Sequence, residues 1–253
     1  MKIKRKKEWF DEDSFWEDLY PVMFPTDRID AATEEVDKVL LLAKLKKGAI
    51  LDLCCGPGRH SVALAKRGFK VTGVDRTKFL LDKARARARK AKAKVEWIQR
   101  DMRDFVRSES FDLALSMFTS FGYFDDKKQD MGVLKNILDS LRPGGSFIID
   151  TIGKERLAKI YQPTTSDVLP NGALLVQRHE ALDDWTRMGN EWIIIHRGRA
   201  RSYKFHHTIY SGQELKDRLK QAGFVGIRLY GNLNGDSYGP NAQRQIAVAS
   251  KPK

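Results

Sequence analysis

The chain has 253 residues, 42% hydrophobic and 31% charged. That excludes disorder and a collagen-like chain, and it is long enough for a sizeable core. Forty-six Lys and Arg against 33 Asp and Glu leave a formal charge of +13, which invites a polyanionic partner. The two cysteines, Cys54 and Cys55, are adjacent; they can form neither a normal staple with each other nor a cysteine-rich zinc site, and a reducing cytoplasm fits them.

Met1 to Lys7 is basic, and no apolar secretory segment follows it. No run approaches the ~18 apolar residues that span a bilayer, so no membrane partner is expected. Glu8 to Tyr20 reads as an aromatic-rich helix stopped by Pro21, and Asp30 to Leu45 as a second helix ended by Lys47-Gly48. Strand-like and helix-like segments then alternate. Ala49–Leu53, Phe69–Val74, Lys94–Gln99, Phe111–Met117 and Ser146–Asp150 are expected strands. Arg59–Arg67, Lys78–Ala93 and Lys128–Leu141 are expected helices, the last stopped by Arg142-Pro143-Gly144-Gly145. Strands separated by helices predict an α/β protein with a parallel sheet, whose strand carboxyl ends share the ligand-binding edge.

After Thr151 the rhythm changes. Ala173–Leu182, Glu191–Arg197 and Arg199–Ile209 read as three strands without a helix between them, a small antiparallel insertion. A helix at Gln213–Ala222 and strands at Val225–Tyr230 and Arg244–Ser250 close the chain. The expected divisions are an N-terminal helical lid (1–47), a core (48–160), a β cap (161–210) and the end of the core (211–253).

Much of the basic excess lies in Lys2, Lys4, Arg5, Lys6 and Lys7 and in the run from Lys83 to Lys94, where alanines alternate with Arg and Lys. Ala84, Ala88 and Ala91 recur at helical spacing and make one narrow face that can lie against a sheet. The opposite face is either simply solvated or a phosphate-binding patch.

The chemistry concentrates at strand ends. Leu51-Asp52-Leu53-Cys54-Cys55-Gly56-Pro57-Gly58-Arg59-His60 runs from a buried strand through a glycine turn into a helix, where backbone can approach a ligand and free N–H donors wait. Ser61 stands where a dinucleotide site wants a third glycine, and no Gly-Lys-Ser/Thr of a P-loop follows. Asp75 ends the next strand, where a carboxylate can accept both hydroxyls of a ribose. Asp101, in Gln99-Arg100-Asp101-Met102, ends the third and could hold an adenine amino group. Singly, each acid is as well explained as a turn residue or helix cap.

In this order and spacing, the motifs resemble the class I S-adenosylmethionine (SAM)-dependent methyltransferases, strongly over Ala49–Asp150 and in outline over the last two strands. The resemblance implies a Rossmann-like seven-stranded, mostly parallel sheet with helices on both faces, the last strand antiparallel beside the fifth, and the β insertion as a cap. It implies SAM as cofactor, with the glycine turn facing its methionine part, Asp75 on the ribose and Asp101 at the adenine. The expected cofactor-lining residues are Asp52, Cys54, Gly56, Gly58, Asp75, Arg76, Asp101, Met102 and Ser116. The family often has Gly at the position of Cys54, and this chain departs from it there. The segment Thr119-Ser120-Phe121-Gly122-Tyr123-Phe124 and the tail from Leu229 look like small-molecule and uncharacterised members with a β-rich cap.

The sulfonium of SAM already activates its methyl group, so no metal is required and a general base is optional. Candidates for contact with the acceptor are Phe118, Tyr123, Arg178 and His207, with Trp16, Tyr20, His179, Trp192, His196, Tyr203 and His206 as further possibilities and core packing as the alternative for each aromatic. Tyr20, Tyr123 and His207 are the candidates for a catalytic group. His207 is preferred to His206 because it shares a strand face with Tyr203 and Phe205. The expected activity is methyl transfer to N or O of a small molecule. The alternative is an RNA or DNA methyltransferase using the basic surface. Against it, Ser116-Met117-Phe118-Thr119 stands where enzymes that methylate base amines often carry Asn/Asp-Pro-Pro-Tyr/Phe. A non-catalytic SAM-binding scaffold is the third reading.

Overall fold

The computed structural model describes residues 8–253; the basic cluster from Lys2 to Lys7 lies outside them. A 3-10 turn, Trp9–Asp11, leads into helices α1 (Asp13–Met23) and α2 (Thr26–Ala43). Pro21 does not stop α1 but sits in its last turn. There the missing N–H costs one hydrogen bond, and the buried Phe15, Trp16 and Leu19 hold the helix in place. The Phe24 N–H closes the turn on the Tyr20 carbonyl at 2.9 Å. Helix α2 ends at Lys44, which adopts a left-handed φ of 52°, three residues before Lys47-Gly48.

The core follows as β1 (Ala49–Leu53), α3 (Arg59–Lys66), β2 (Lys70–Asp75), α4 (Lys78–Lys90), β3 (Val95–Gln99), β4 (Phe111–Ser116), α5 (Lys127–Ser140) and β5 (Leu141–Thr151). After α6 (Lys154–Ile160) come four strands, β6 (Thr164–Val168), β7 (Leu174–Leu182), β8 (Arg187–His196) and β9 (Arg199–Thr208). The chain ends with α7 (Gly212–Ala222), β10 (Val225–Tyr230) and β11 (Gln245–Ser250).

The main sheet has seven strands in the order β10-β11-β5-β4-β1-β2-β3. Strand β11 is antiparallel to both β5 and β10, as the resemblance implied. The order reverses between β1 and β4, and a crevice opens at their carboxyl ends. The strands are buried on both faces because successive side chains alternate. Ile50, Leu113, Leu115 and Ile148 pack with Val36, Val39 and Leu64 on one face. Leu51, Leu53, Ala114, Phe147 and Ile149 pack with Leu80, Leu134 and Leu219 on the other. Each buried Val, Leu, Ile or Phe among them contributes about 1.5–3 kcal/mol. Ala84 and Ala88 of α4 are buried, which lets that helix lie close to the sheet while Arg85 and Arg89 face outward.

Two elements escape the sequence pattern. Helix α6 is seven residues long with no buried side chain, and β6 (Thr-Thr-Ser-Asp-Val) is mostly exposed, so neither shows an apolar period. The cap is therefore a four-stranded antiparallel sheet rather than three strands. Its β7–β8 turn is also tighter than expected. Asp183, Asp184 and Trp185 all take left-handed φ, and pairing resumes at Arg187. In β5 the Arg142–Gly145 segment makes a register jump inside the strand instead of preceding it. Among the described residues, no helix is long and apolar enough to cross a membrane.

Candidate active site

The β1–α3 turn is built on three left-handed residues, Cys54 (φ 60°), Gly56 (φ 54°) and Gly58 (φ 73°). The first explains why that position suits glycine, since a side chain there costs roughly 1 kcal/mol. A Cβ added to Gly56 would meet only the Phe24 ring, 3.5 Å away, so the turn is open to a ligand there. Gly58 has a different job. A Cβ there would lie 2.6 Å from the Trp97 ring, so this glycine lets α3 pack on the sheet and does not line the cleft. Burial pushes both cysteine thiols well above their ordinary pKa, reinforced by the neighbouring Asp75 charge; nucleophilic chemistry at either is disfavoured.

Asp52 is buried beneath the turn and accepts the Ser61 hydroxyl at 2.5 Å; burial raises its pKa. Asp75 accepts the Gly56 N–H at 2.9 Å and the Thr77 N–H at 2.9 Å. Burial raises its pKa and those bonds pull it back. Asp101 accepts from Arg103 through the backbone N–H at 2.8 Å and the guanidinium Nη2 at 2.6 Å. Burial opposes its ionisation, but Arg103 wins and its pKa falls below the ordinary value. The Met102 sulfur lies 3.6 Å from the Cys54 sulfur. Arg76 donates to the Phe10 carbonyl at 2.6 Å and pairs with Asp11, and Arg103 pairs with Glu8 at 2.7 Å. The N-terminal segment is thus tied down over the ends of β2 and β3. Ser116 is buried but does not line the cleft; its successors Met117 and Phe118 do.

The cleft continues into a cavity of about 610 Å3 between the strand ends, the N-terminal segment and the cap. Cross-strand register decides which cap residues reach it. His179, Asn190, Trp192, Phe205 and His207 line it, along with Gln177 and Met188. Arg178 lies on the outer face, paired with Glu191 at 3.1 Å, and His206 also faces out, beside Asp125 at 2.6 Å. Arg178 is therefore not beside this cavity: adjacent residues of a strand point oppositely, and His179 takes the inward place. Tyr20 is not in the lining either. It packs on Phe24 and Phe79, and its hydroxyl accepts from Arg87 at 3.4 Å. Tyr123 does line the cavity, and burial raises its phenol pKa. Burial, with His206 and His179 nearby, lowers the pKa of His207 to about 4.

Several lining residues carried no recognised signal in the sequence. Trp9 is a ring hub, its centroid 4.8 Å from Tyr123 and 5.1 Å from Phe205. The guanidinium carbons of Arg59, Arg244 and Arg28 lie 4.1, 5.0 and 5.4 Å from the Phe118 centroid. Arg244 is held by Asp150 at 2.6 Å and Arg59 by Glu35. One Arg59 nitrogen, Nη2, is buried with no hydrogen-bond partner among the described residues.

A family model described as a methyltransferase domain matches residues 50–145, from β1 to the bulge of β5. The Bacillus subtilis (strain 168) protein YqeM, whose name marks a provisionally assigned methyltransferase, is 25% identical over 82% of this chain and 86% of its own. Glycine N-methyltransferase of Rattus norvegicus is 33% identical over 40% of this chain and 39% of its own. The structure of the CcbJ methyltransferase from Streptomyces caelestis superposes with a TM-score of 0.78 at 18% identity, covering 94% of this chain and 96% of that one; this likeness extends the shared fold to the cap. With the acids and the glycine turn at the carboxyl edge of a sheet in this strand order, residues 50–145 carry a methyltransferase domain, and the chain shares the fold of SAM-dependent methyltransferases.

Proposed function

We propose that this enzyme methylates N or O of a small molecule held under the cap. The observation that carries the reading is a continuous cavity of about 610 Å3 that runs from the strand ends to the inner face of the cap. Small-molecule pockets measure about 300–1,000 Å3. The N-terminal segment closes it from above through the Arg76–Asp11 and Arg103–Glu8 pairs, which leaves little room for a polymer.

The residues fit the cofactor. The turn at Gly56 is open to a ligand, and the unpartnered Arg59 Nη2 suits the carboxylate of a methionine moiety. Asp75 would hold the ribose, with Asp101 and Met102 at the adenine. Bound SAM supplies a methyl group already activated on a sulfonium. The protein's share is to orient the acceptor in line, and to exclude water with the ring wall of Trp9, Tyr123 and Phe205. A cytoplasmic location, which two free thiols fit, belongs to the same reading.

The basic surface favours the nucleic-acid reading less than its charge suggests. Arg85, Arg89, Lys92 and Lys94 line a groove with Lys70, Arg107 and Arg142. That groove touches the starts of β1, β2, β3 and β4, the edge opposite the cofactor acids. Labelled SAM offered with a small-metabolite extract and, separately, with total RNA decides between the readings. The expected result is label in the small-molecule fraction, unchanged when Arg85, Arg89 and Lys92 are together replaced by Gln. RNA labelling that drops tenfold in that variant would replace this reading with the other.

A further inference from the structure

We infer that the methyl acceptor is a flat molecule bearing carboxylate, phenolate or carbonyl oxygens, which the site grips by donating hydrogen bonds from Trp9, Trp192 and His207. This rests on the methyltransferase reading of the cavity and says which acceptors it takes.

The indole Nε1 atoms of Trp9 and Trp192 are both buried without a hydrogen-bond partner among the described residues, and both side chains line the cavity. An indole nitrogen can only donate, so neither can be satisfied by another donor. A buried donor left unpaired is costly, and an acceptor oxygen from a ligand removes that cost. The two donors come from different elements, the N-terminal segment and the cap. Phe205 packs on both, 5.1 Å from Trp9 and 5.3 Å from Trp192 by ring centroid, so the indoles belong to one continuous aromatic wall, which suits a flat apolar body.

The third donor follows from hydrogen-bond direction. Asn190 donates from Nδ2 to the Met188 carbonyl at 3.1 Å, which fixes its amide nitrogen. Its Oδ1 then accepts from His179 Nδ1 at 2.9 Å, and Nδ2 faces His207 Nδ1 at 3.5 Å. His207 Nδ1 is therefore an acceptor, and the ring proton sits on Nε2. The ring is neutral at physiological pH because burial lowers its pKa to about 4. His207 thus offers the acceptor an N–H rather than a base. The attacking atom must bring its own lone pair, as a phenolate, a carboxylate or a neutral amine on such a molecule does.

Charge agrees. The carboxylates lining the cavity are Asp52, Asp75 and Asp101, all at strand ends with partners of their own. None of the cap or N-terminal lining residues is acidic, while Arg28, Arg59 and Arg244 ring Phe118. An aromatic wall can also hold a cation, but a cation would leave both indoles unpaired and find no carboxylate on the cap or the N-terminal segment.

The test uses the full chain saturated with S-adenosylhomocysteine and two probes of similar size and opposite charge, benzoate and benzylammonium, followed by calorimetry. Benzoate should bind at least tenfold more tightly. Trp192→Phe and Trp9→Phe keep an aromatic ring and lose the N–H; each should weaken benzoate about tenfold and leave S-adenosylhomocysteine affinity unchanged. That last affinity reports folding, and Trp192→Phe on the cap carries the test if Trp9→Phe does not fold. Equal or tighter binding of benzylammonium, or wild-type benzoate affinity in a folded Trp192→Phe protein, overturns the inference. Failure of the wild type to bind S-adenosylhomocysteine strikes the cofactor reading itself, a distinguishable result.

Discussion

Replacing Asp75 by Asn probes the proposed cofactor site with little change of shape. A carboxylate has about four lone-pair positions. At Asp75 the Gly56 N–H, the Thr77 N–H and the Thr77 hydroxyl occupy three of them. About one remains, so a ribose held there would gain one charge-assisted hydrogen bond rather than the two expected from the sequence. One such bond contributes about 1.5–3 kcal/mol, which is about a tenfold to 150-fold loss of affinity on its removal. The Asn amide must also turn its NH2 toward one of the two backbone donors, which loosens the turn. Stability moves less than affinity. The folded-state pKa of Asp75 is raised by burial, so ionising it costs folding free energy as pH rises through that pKa, and Asn escapes this cost. Calorimetry with S-adenosylhomocysteine, beside a thermal melt, separates the two effects. In the wild type, affinity should also fall as pH drops through the raised pKa, and the Asn variant should lose that dependence. Affinity within twofold of wild type in a folded Asp75→Asn protein would refute the assignment.

Three further outcomes are expected. Arg59→Lys keeps a cation beside Glu35 but loses the buried Nη2; affinity for S-adenosylhomocysteine should fall about tenfold, while 5′-methylthioadenosine, which lacks the methionine end, binds unchanged. Cys54→Gly relieves the left-handed φ of 60° and should raise stability by about 0.5–1 kcal/mol, read as a higher urea midpoint, whereas Cys54→Ala should not. Asp130 is buried with the Tyr210 hydroxyl 2.8 Å away, and burial raises its pKa to about 6. An acid raised in the fold contributes stability that is complete below its unfolded pKa and lost as pH rises through the folded value. The wild type should therefore lose about 1.5 kcal/mol relative to Asp130→Asn between pH 5 and pH 8, and parallel urea midpoints across that range would show the reasoning to be wrong.

What the sequence revealed and what it hid divide along one physical line. Asp75 ends β2, Asp101 follows just after β3 and Asp52 sits just before the end of β1, so short strand-like runs with an acid at or near the carboxyl end locate them without any knowledge of packing. Strand β1 and the final hairpin were legible for the same reason: Ala49–Leu53 and Val225–Tyr230 are local patterns. The alternation rule also separated His207 from His206, because it needs only the count from Tyr203 and Phe205. The same rule, applied to β7 without its partner, could not choose between Arg178 and His179; that choice depends on the pairing of His179 with Asn190 and of Gln177 with Trp192. Tyr20 misled because its helix presents Phe15, Trp16 and Leu19 inward and leaves Tyr20 against α4. Trp9 and Arg244 are farther from any local signal. The first reaches the cavity only because Arg76 and Arg103 tie the N-terminal segment to strand ends that lie far along the chain. The second does so because β11 is inserted beside β5 and places Asp150 within its reach. A cofactor common to many enzymes can be held by short, repeated strand-end motifs. A particular acceptor is selected by residues that only the assembled lid, sheet edge and cap bring together, so its chemistry had to be found in unpaired donors and charge rather than in spacing.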